Sequence, residues 1–128
     1  MWVPTMSPRE QSGAASRRPT QREFDLLSML LGREFEGASA LARQLAETLV
    51  APLDANGRLR LNPGDTVPAT VKRRIPVEAS YPDADGVIVH VLLHVIDGRL
   101  DELEVYREDS GRVVVPATET NTLEVDPW

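Results

Sequence analysis

From Ile75 onward every second residue is apolar or aromatic: Ile75, Val77, Ala79 and Tyr81, then Val87, Val89, Val91, Leu93 and Val95. Alternation of this kind places one set of side chains on a single face of paired strands. Pro82-Asp83-Ala84-Asp85-Gly86 between the two runs supplies turn residues. Setting Tyr81 opposite Val87 brings Ala79 to Val89, Val77 to Val91 and Ile75 to Leu93. A second turn falls at Asp97-Gly98. A two-residue loop there pairs Ile96 with Arg99 and puts Glu102 and Glu104 on the apolar face. A three-residue loop, with Gly98 in the left-handed position, pairs Val95 with Arg99, Val91 with Leu103 and Val89 with Val105, and turns both carboxylates outward. A one-residue slip inverts the faces of a strand, so the pattern favours the longer loop. Arg112–Val115 reads as a last strand, after Asp109-Ser110-Gly111 and before Pro116. Leu123 and Val125 are the anchors of a polar C-terminal segment.

Upstream the period changes to that of a helix. Thr20-Gln21-Arg22-Glu23 is a capping box, followed by Phe24, Leu27, Leu30 and Leu31 on one stripe widened by Leu26. Gly32 stops it. A second helix is expected from Ala38 to Leu49, its stripe made of Leu41, Leu45 and Leu49 with Ala38, Ala42 and Ala46 beside it. Pro52 to Pro68 is broken by turn residues, with Arg58-Leu59-Arg60-Leu61 alternating like a short edge strand. Met1–Pro19 has no apolar period and reads as a disordered tail. The expected fold is α+β: a tail over 1–19, then one domain over 20–128. In that domain two N-terminal helices pack on one face of a three- to four-stranded antiparallel β-meander.

The length of 128 residues suits one domain, and 41% hydrophobic with 27% charged residues suits a soluble one. With no cysteine there is no disulfide, thiol nucleophile or thiolate metal site. No apolar run is long enough to span a membrane and no signal peptide is visible, so the expected place is the cytoplasm. The net charge of −6 argues against a phosphate-backbone binder. Lys72-Arg73-Arg74 has no interleaved aromatics for stacking, which again speaks against nucleic acid. Asp97–Asp109 carries six carboxylates against Arg99 and Arg107, a run suited to solvent or to steering a basic partner.

The outer face of the long strand reads Ile88, His90, Leu92, His94 and Ile96, an apolar row interrupted by imidazoles. The chosen register sets His90 opposite Glu104, Leu92 opposite Glu102 and Ile88 opposite Tyr106. The face is either partly covered by other segments or a protein surface with an apolar centre and an acidic rim. Four residues along a strand separate His90 from His94 by roughly 13 Å, too far for two imidazoles to share one ion. No metal, cofactor or catalytic residue is therefore expected. No serine has a nucleophile signature, no glycine-rich phosphate loop is present, and Asp83–Ile88 lacks the end ligands of a calcium loop.

Thr20–Leu31, Phe35-Glu36-Gly37-Ala38, Leu92–Leu100 and Glu102–Asp109 together resemble a family of small uncharacterised bacterial proteins. Its members share a capped first helix, a Phe-x-Gly-Ala helix entry and a C-terminal DG-x-L-x-ELE-x-YR-x-D hairpin. The resemblance covers roughly Pro19 to Pro116 and implies no activity and no catalytic residue. By size and acidity such proteins are similar to immunity proteins that block a toxin, which is an analogy of character. Three functional readings follow. The first is a non-enzymatic interaction module, immunity- or antitoxin-like, that meets a basic, toxin-like protein partner through Ile88, His90, Leu92, His94, Glu102, Glu104 and Tyr106. The second is a small-molecule binder or enzyme with a cleft between helices and sheet near Tyr81 and Pro52–Pro68. The third is a homodimer joined through the outer face.

Overall fold

A computed structural model describes residues 15–127. Two helices, α1 (Gln21–Leu31) and α2 (Ala38–Leu45), precede six strands. These are β1 (Leu49–Pro52), β2 (Leu59–Asn62), β3 (Val77–Pro82), β4 (Ile88–Ile96), β5 (Arg99–Arg107) and β6 (Glu124–Pro127). They form one sheet in the order β1-β2-β5-β4-β3-β6, antiparallel throughout. The α+β class is as expected, but the sheet has six strands where three or four were read.

The missing strands come from three places. Leu49 does not end the second helix; α2 stops at Leu45, and Leu49 opens β1, where it is 39% exposed. The Arg58–Leu61 alternation does form a strand, yet an interior one between β1 and β5. Arg112–Val115 forms no strand at all; the C-terminal strand is β6, and Val125 is buried within it as an anchor.

The capping box at Thr20 is formed, with Glu23 N–H donating to Thr20 Oγ1 and Thr20 N–H donating to the Glu23 carboxylate. Leu26, Leu27, Leu30 and Leu31 of α1 are buried, whereas Phe24, read as part of the stripe, is 38% exposed. Helix α1 lies against β3 and α2 against β5. Beneath them sit Val77, Ala79, Tyr81, Val89, Val91, Leu93, Val95, Leu103 and Val105, all buried. The odd positions thus face the helices as the alternation predicts, each fully buried aliphatic side chain contributing about 1.5–3 kcal/mol. Of the expected tail, residues 1–14 lie outside the described residues. Arg17, at its end, exchanges two backbone hydrogen bonds with Val50 of β1 and pairs with Glu23 at 2.7 Å.

Both registers differ from the sequence reading. In β3–β4, Tyr81 faces Val89, Ala79 faces Val91 and Val77 faces Leu93, a shift of two that keeps every side chain on its face. In β4–β5 the turn is the two-residue loop: Ile96 pairs with Arg99, and Asp97 and Gly98 both have positive φ, 52° and 75°. That is the left-handed pair a type I′ turn requires. The face is then rescued by a bulge. Val95 pairs with Leu100 but His94 pairs with Glu102, leaving Asp101 as the extra residue. Leu100 and Leu103 are both buried, while Glu102 and Glu104 point outward. The tight turn and the outward carboxylates coexist because one inserted residue inverts the parity.

Gln44 ties this hairpin to the helical layer. Its side chain, 1% exposed, donates to Val67 O (3.0 Å) and Gly98 O (2.8 Å) and accepts from Leu100 N–H (3.0 Å). Gly98 is held close: a Cβ there would lie 2.9 Å from Pro68 Cβ and collide with the Ala69 carbonyl. Gln44→Leu leaves Val67 O and Leu100 N–H without partners, while Gly98 O keeps Ala69 N–H, and is expected to destabilise by about 2–3 kcal/mol in urea unfolding. Gly98→Ala is expected to cost several times more than Gly86→Ala. Gly86 also has positive φ but open space around it, so its change costs only about 1 kcal/mol.

Candidate functional site

The sheet face away from the helices carries every candidate residue named from the sequence. Ile88, His90, Leu92 and His94 alternate out of β4, half-exposed, and Glu102, Glu104 and Tyr106 leave β5 on the same side. Ile96 and Tyr106 are 37% and 40% exposed. The partners differ from those expected because of the register. His90 lies opposite Tyr106, not Glu104; their rings stack with centroids 5.0 Å apart, and His90 Nε2 is 2.8 Å from Glu108 Oε1. Leu92 lies opposite Glu104, not Glu102, and Ile88 O accepts from Glu108 N–H, with Tyr106 displaced to His90.

His94 and Glu102 are the most enclosed of the ion-paired members, each side chain 13% exposed. His94 pairs with Glu102 across the strands, and its Nε2 lies 2.8 Å from Glu104 Oε1. Arg74 Nε donates to its Nδ1 at 3.3 Å, so Nε2 is the nitrogen that carries the hydrogen toward Glu104. His94, Glu102 and Glu104 each offer a ligand atom within 4.8 Å of the others, a trio that the spacing of His90 and His94 did not reveal. Both carboxylates already meet guanidinium groups. Arg58 Nε donates to Glu102 Oε2 at 2.6 Å and its Nη2 is 3.8 Å from Glu104. Arg60 reaches Asp101 at 3.1 Å and Glu102 at 3.6 Å. The Glu102 bond is the main cause raising the Arg58 pKa above its ordinary value. This corner is a closed network of three arginines, one imidazole and three carboxylates.

That closure changes which acids are free to act on a partner. Glu102 and Glu104 were the expected steering carboxylates, and Arg58, just before β2, and Arg60 within it pair with them. Across β4, Glu78, Glu124 and Asp126 stand on β3 and β6 with no cationic partner among the described residues. The apolar row Ile88-Leu92 therefore runs between a neutralised corner and an unneutralised acidic border.

Arg107 is the residue the sequence reading missed. It ends β5 on the buried side, 6% exposed, and its guanidinium meets Asp83 (2.9 Å), Asp85 (2.9 Å) and Asp109 (2.7 Å). Asp83 also accepts from Ala84, Val114 and Val115 N–H groups, which pins the irregular 112–115 segment against the hairpin. The Arg-x-Asp spacing at 107 and 109 was the available signal. Tyr81, proposed as a cleft residue, is 1% exposed, and its hydroxyl donates to Val115 O at 2.6 Å. Burial first, then the Asp83 charge, pushes its pKa up to about 12. An open groove of about 470 Å³ does lie along Pro52–Pro68, but between Asp65–Val67 and Ala40–Gln44 of α2, away from Tyr81.

Burial raises the Asp83 carboxyl, yet its three N–H donors and Arg107 outweigh that and hold it well below the usual carboxylate range. Arg107, then the Gly111 N–H, lowers Asp109 to about 2. Both folded values lie below the unfolded one, near ~3.9. Their stabilisation is therefore complete above about pH 4 and is lost as pH falls toward 2 and below. Urea midpoints measured from pH 7 to pH 2 should drop over that interval in the wild-type chain. In Asp83→Asn the midpoint should be lower at pH 7 and fall less steeply on acidification.

Among the described residues no helix is long and apolar enough to cross a membrane. Neither the curated proteins nor the solved structures contain a match to this chain. A family model described as "Domain of unknown function (DUF6984)" matches residues 16–116, which takes in both helices and strands β1 to β5. The capped helix, the Gly37 helix entry and the DG-x-L-x-ELE-x-YR-x-D hairpin all fall inside that match, and the chain belongs to the DUF6984 family.

Proposed function

We propose that this chain is a non-enzymatic protein-binding module, immunity- or antitoxin-like, whose outer sheet face docks on a basic surface of a partner protein. The observation that carries the reading is the contrast across that face. Ile88, Leu92 and Tyr106 leave apolar surface accessible, and Glu78, Glu124 and Asp126 border it without an ion-pair partner among the described residues. An apolar centre with a charged rim is the anatomy of a non-obligate interface. Unneutralised carboxylates steer a positively charged partner and repel a negative one.

The same charge favours a different protein over a second copy of this chain. A twofold contact through the face would bring each acidic border toward a face whose Arg58 and Arg60 are committed to their own carboxylates. The groove beside Asp65–Val67 contains one buried hydroxyl without a partner, Thr66 Oγ1, and no convergent set of catalytic groups.

The test is capture of host proteins on the immobilised full chain, with mass-spectrometric identification, at low and high salt. The expected partner presents a basic surface and is lost as salt rises. Leu92→Glu, at a half-exposed position outside the helix-facing core, should weaken capture by about tenfold or more while the chain stays folded, its melting temperature lowered because Glu78 and Glu104 stand opposite. A partner held equally well by Leu92→Glu, or held through a salt-insensitive contact, would overturn the reading.

A further inference from the structure

The β3–β6 pair carries a conflict that the other strand pairs lack. Glu78 stands directly opposite Asp126, Ser80 opposite Glu124 and Val77 opposite Pro127. Opposed residues share a face, with Cβ atoms about 4.5–5.5 Å apart, so two carboxylates meet there and weaken the pairing. No cation among the described residues compensates either one. What holds β6 is Val125, 7% exposed opposite Ala79, together with Leu123 at the margin of the core. The 108–123 segment leading to it contains no strand. The family match, moreover, ends at residue 116, so β3 is the edge strand of the part of the sheet inside the match.

We propose that β6 is a displaceable strap over the edge of β3, and that an extended basic segment of the partner takes its place in the sheet. Register specifies that segment. A Lys or Arg opposite Glu78 replaces repulsion with attraction, and a β-branched apolar residue opposite Ala79 fills the seat of Val125. The backbone of β3 supplies the remaining bonds, as in any strand addition. The far edge is closed to the same event, because Val50 of β1 already exchanges both backbone bonds with Arg17. The proposal rests on the reading that the partner is basic, and it adds where and in what conformation that partner binds.

Hydrogen exchange on the full chain tests it, with two synthetic peptides as probes. One copies residues 122–127; the other is the same peptide with Glu124→Lys and Asp126→Lys. In the free chain, amides of residues 124–126 should exchange at least about tenfold faster than those of β4, the mark of a low-energy local opening. The lysine peptide should slow exchange in β3 while speeding it at 124–126, less so at high salt, and the unaltered peptide should do neither at equal concentration. Glu78→Lys should pair with Asp126, slow exchange at 124–126 and abolish the lysine peptide's effect. Exchange at 124–126 as slow as in β4, equal action of both peptides, or no change in Glu78→Lys would each overturn the strap. Tyr106→Ala lies on β5, which is separated from β3 and β6 by β4, so loss of partner capture in that variant reports on the docking face separately.

Discussion

Everything on the outer face depends on how β4 is aligned with β5. Asp97 and Gly98 close the connection in two left-handed residues, and Asp101 then adds one residue to β5 alone. Without that insertion a tight turn would drive Glu102 and Glu104 beneath the helices, where an unpaired carboxylate is very costly. With it, Leu100 and Leu103 both reach the core although they are three residues apart, and the carboxylates come up beside Arg58, Arg60 and His94. Asp101 itself is buried and partnered by Arg60. One inserted residue thus determines both the packing of the interior and the charge pattern of the exterior.

The alternation from Val77 to Val95 and the capping box at Thr20 were legible in the sequence because each is a local pattern repeated many times over. The helix-facing side of the sheet followed from them without knowledge of register, since a shift of two residues leaves every side chain on its face. Pairings were less legible. Asp97-Gly98 was weighed in both loop lengths, and the choice failed because a bulge lets a short turn satisfy the same face. The strands at the two edges are four residues each, too short for a period, and Leu49 at the start of β1 could equally continue the helical stripe of Leu41 and Leu45. Arg107 was hidden for another reason: its three carboxylate partners come from two turns, and nothing in the β5 pattern alone says that an arginine at that place turns inward.

The chemistry of the candidate site shows the same division. All seven residues read as a surface do share one face, as the period requires. Which of their charges remain free was not readable from them, because the neutralising groups, Arg58 and Arg60, lie at the start of β2, more than forty residues away. Acidic composition is a property of the chain, whereas an acidic surface is a property of the pairing that remains after folding. Here the two separate: Glu102 and Glu104 of the carboxylate-rich hairpin are balanced by arginines from outside it, and the unbalanced acids lie on β3 and β6.

Gln44 imposes a requirement on the order of assembly. Its amide joins backbone groups that are 23, 54 and 56 positions away along the chain. Until α2, the 65–67 segment and the β4–β5 turn have all arrived, a collapsed chain would hold this side chain dry and unanswered. Partly assembled forms are thereby raised in energy relative to the complete one, and contacts spanning such separations form slowly. A single amide in this position ties the helical layer to the hairpin, so that each gains stability from the other's being in place.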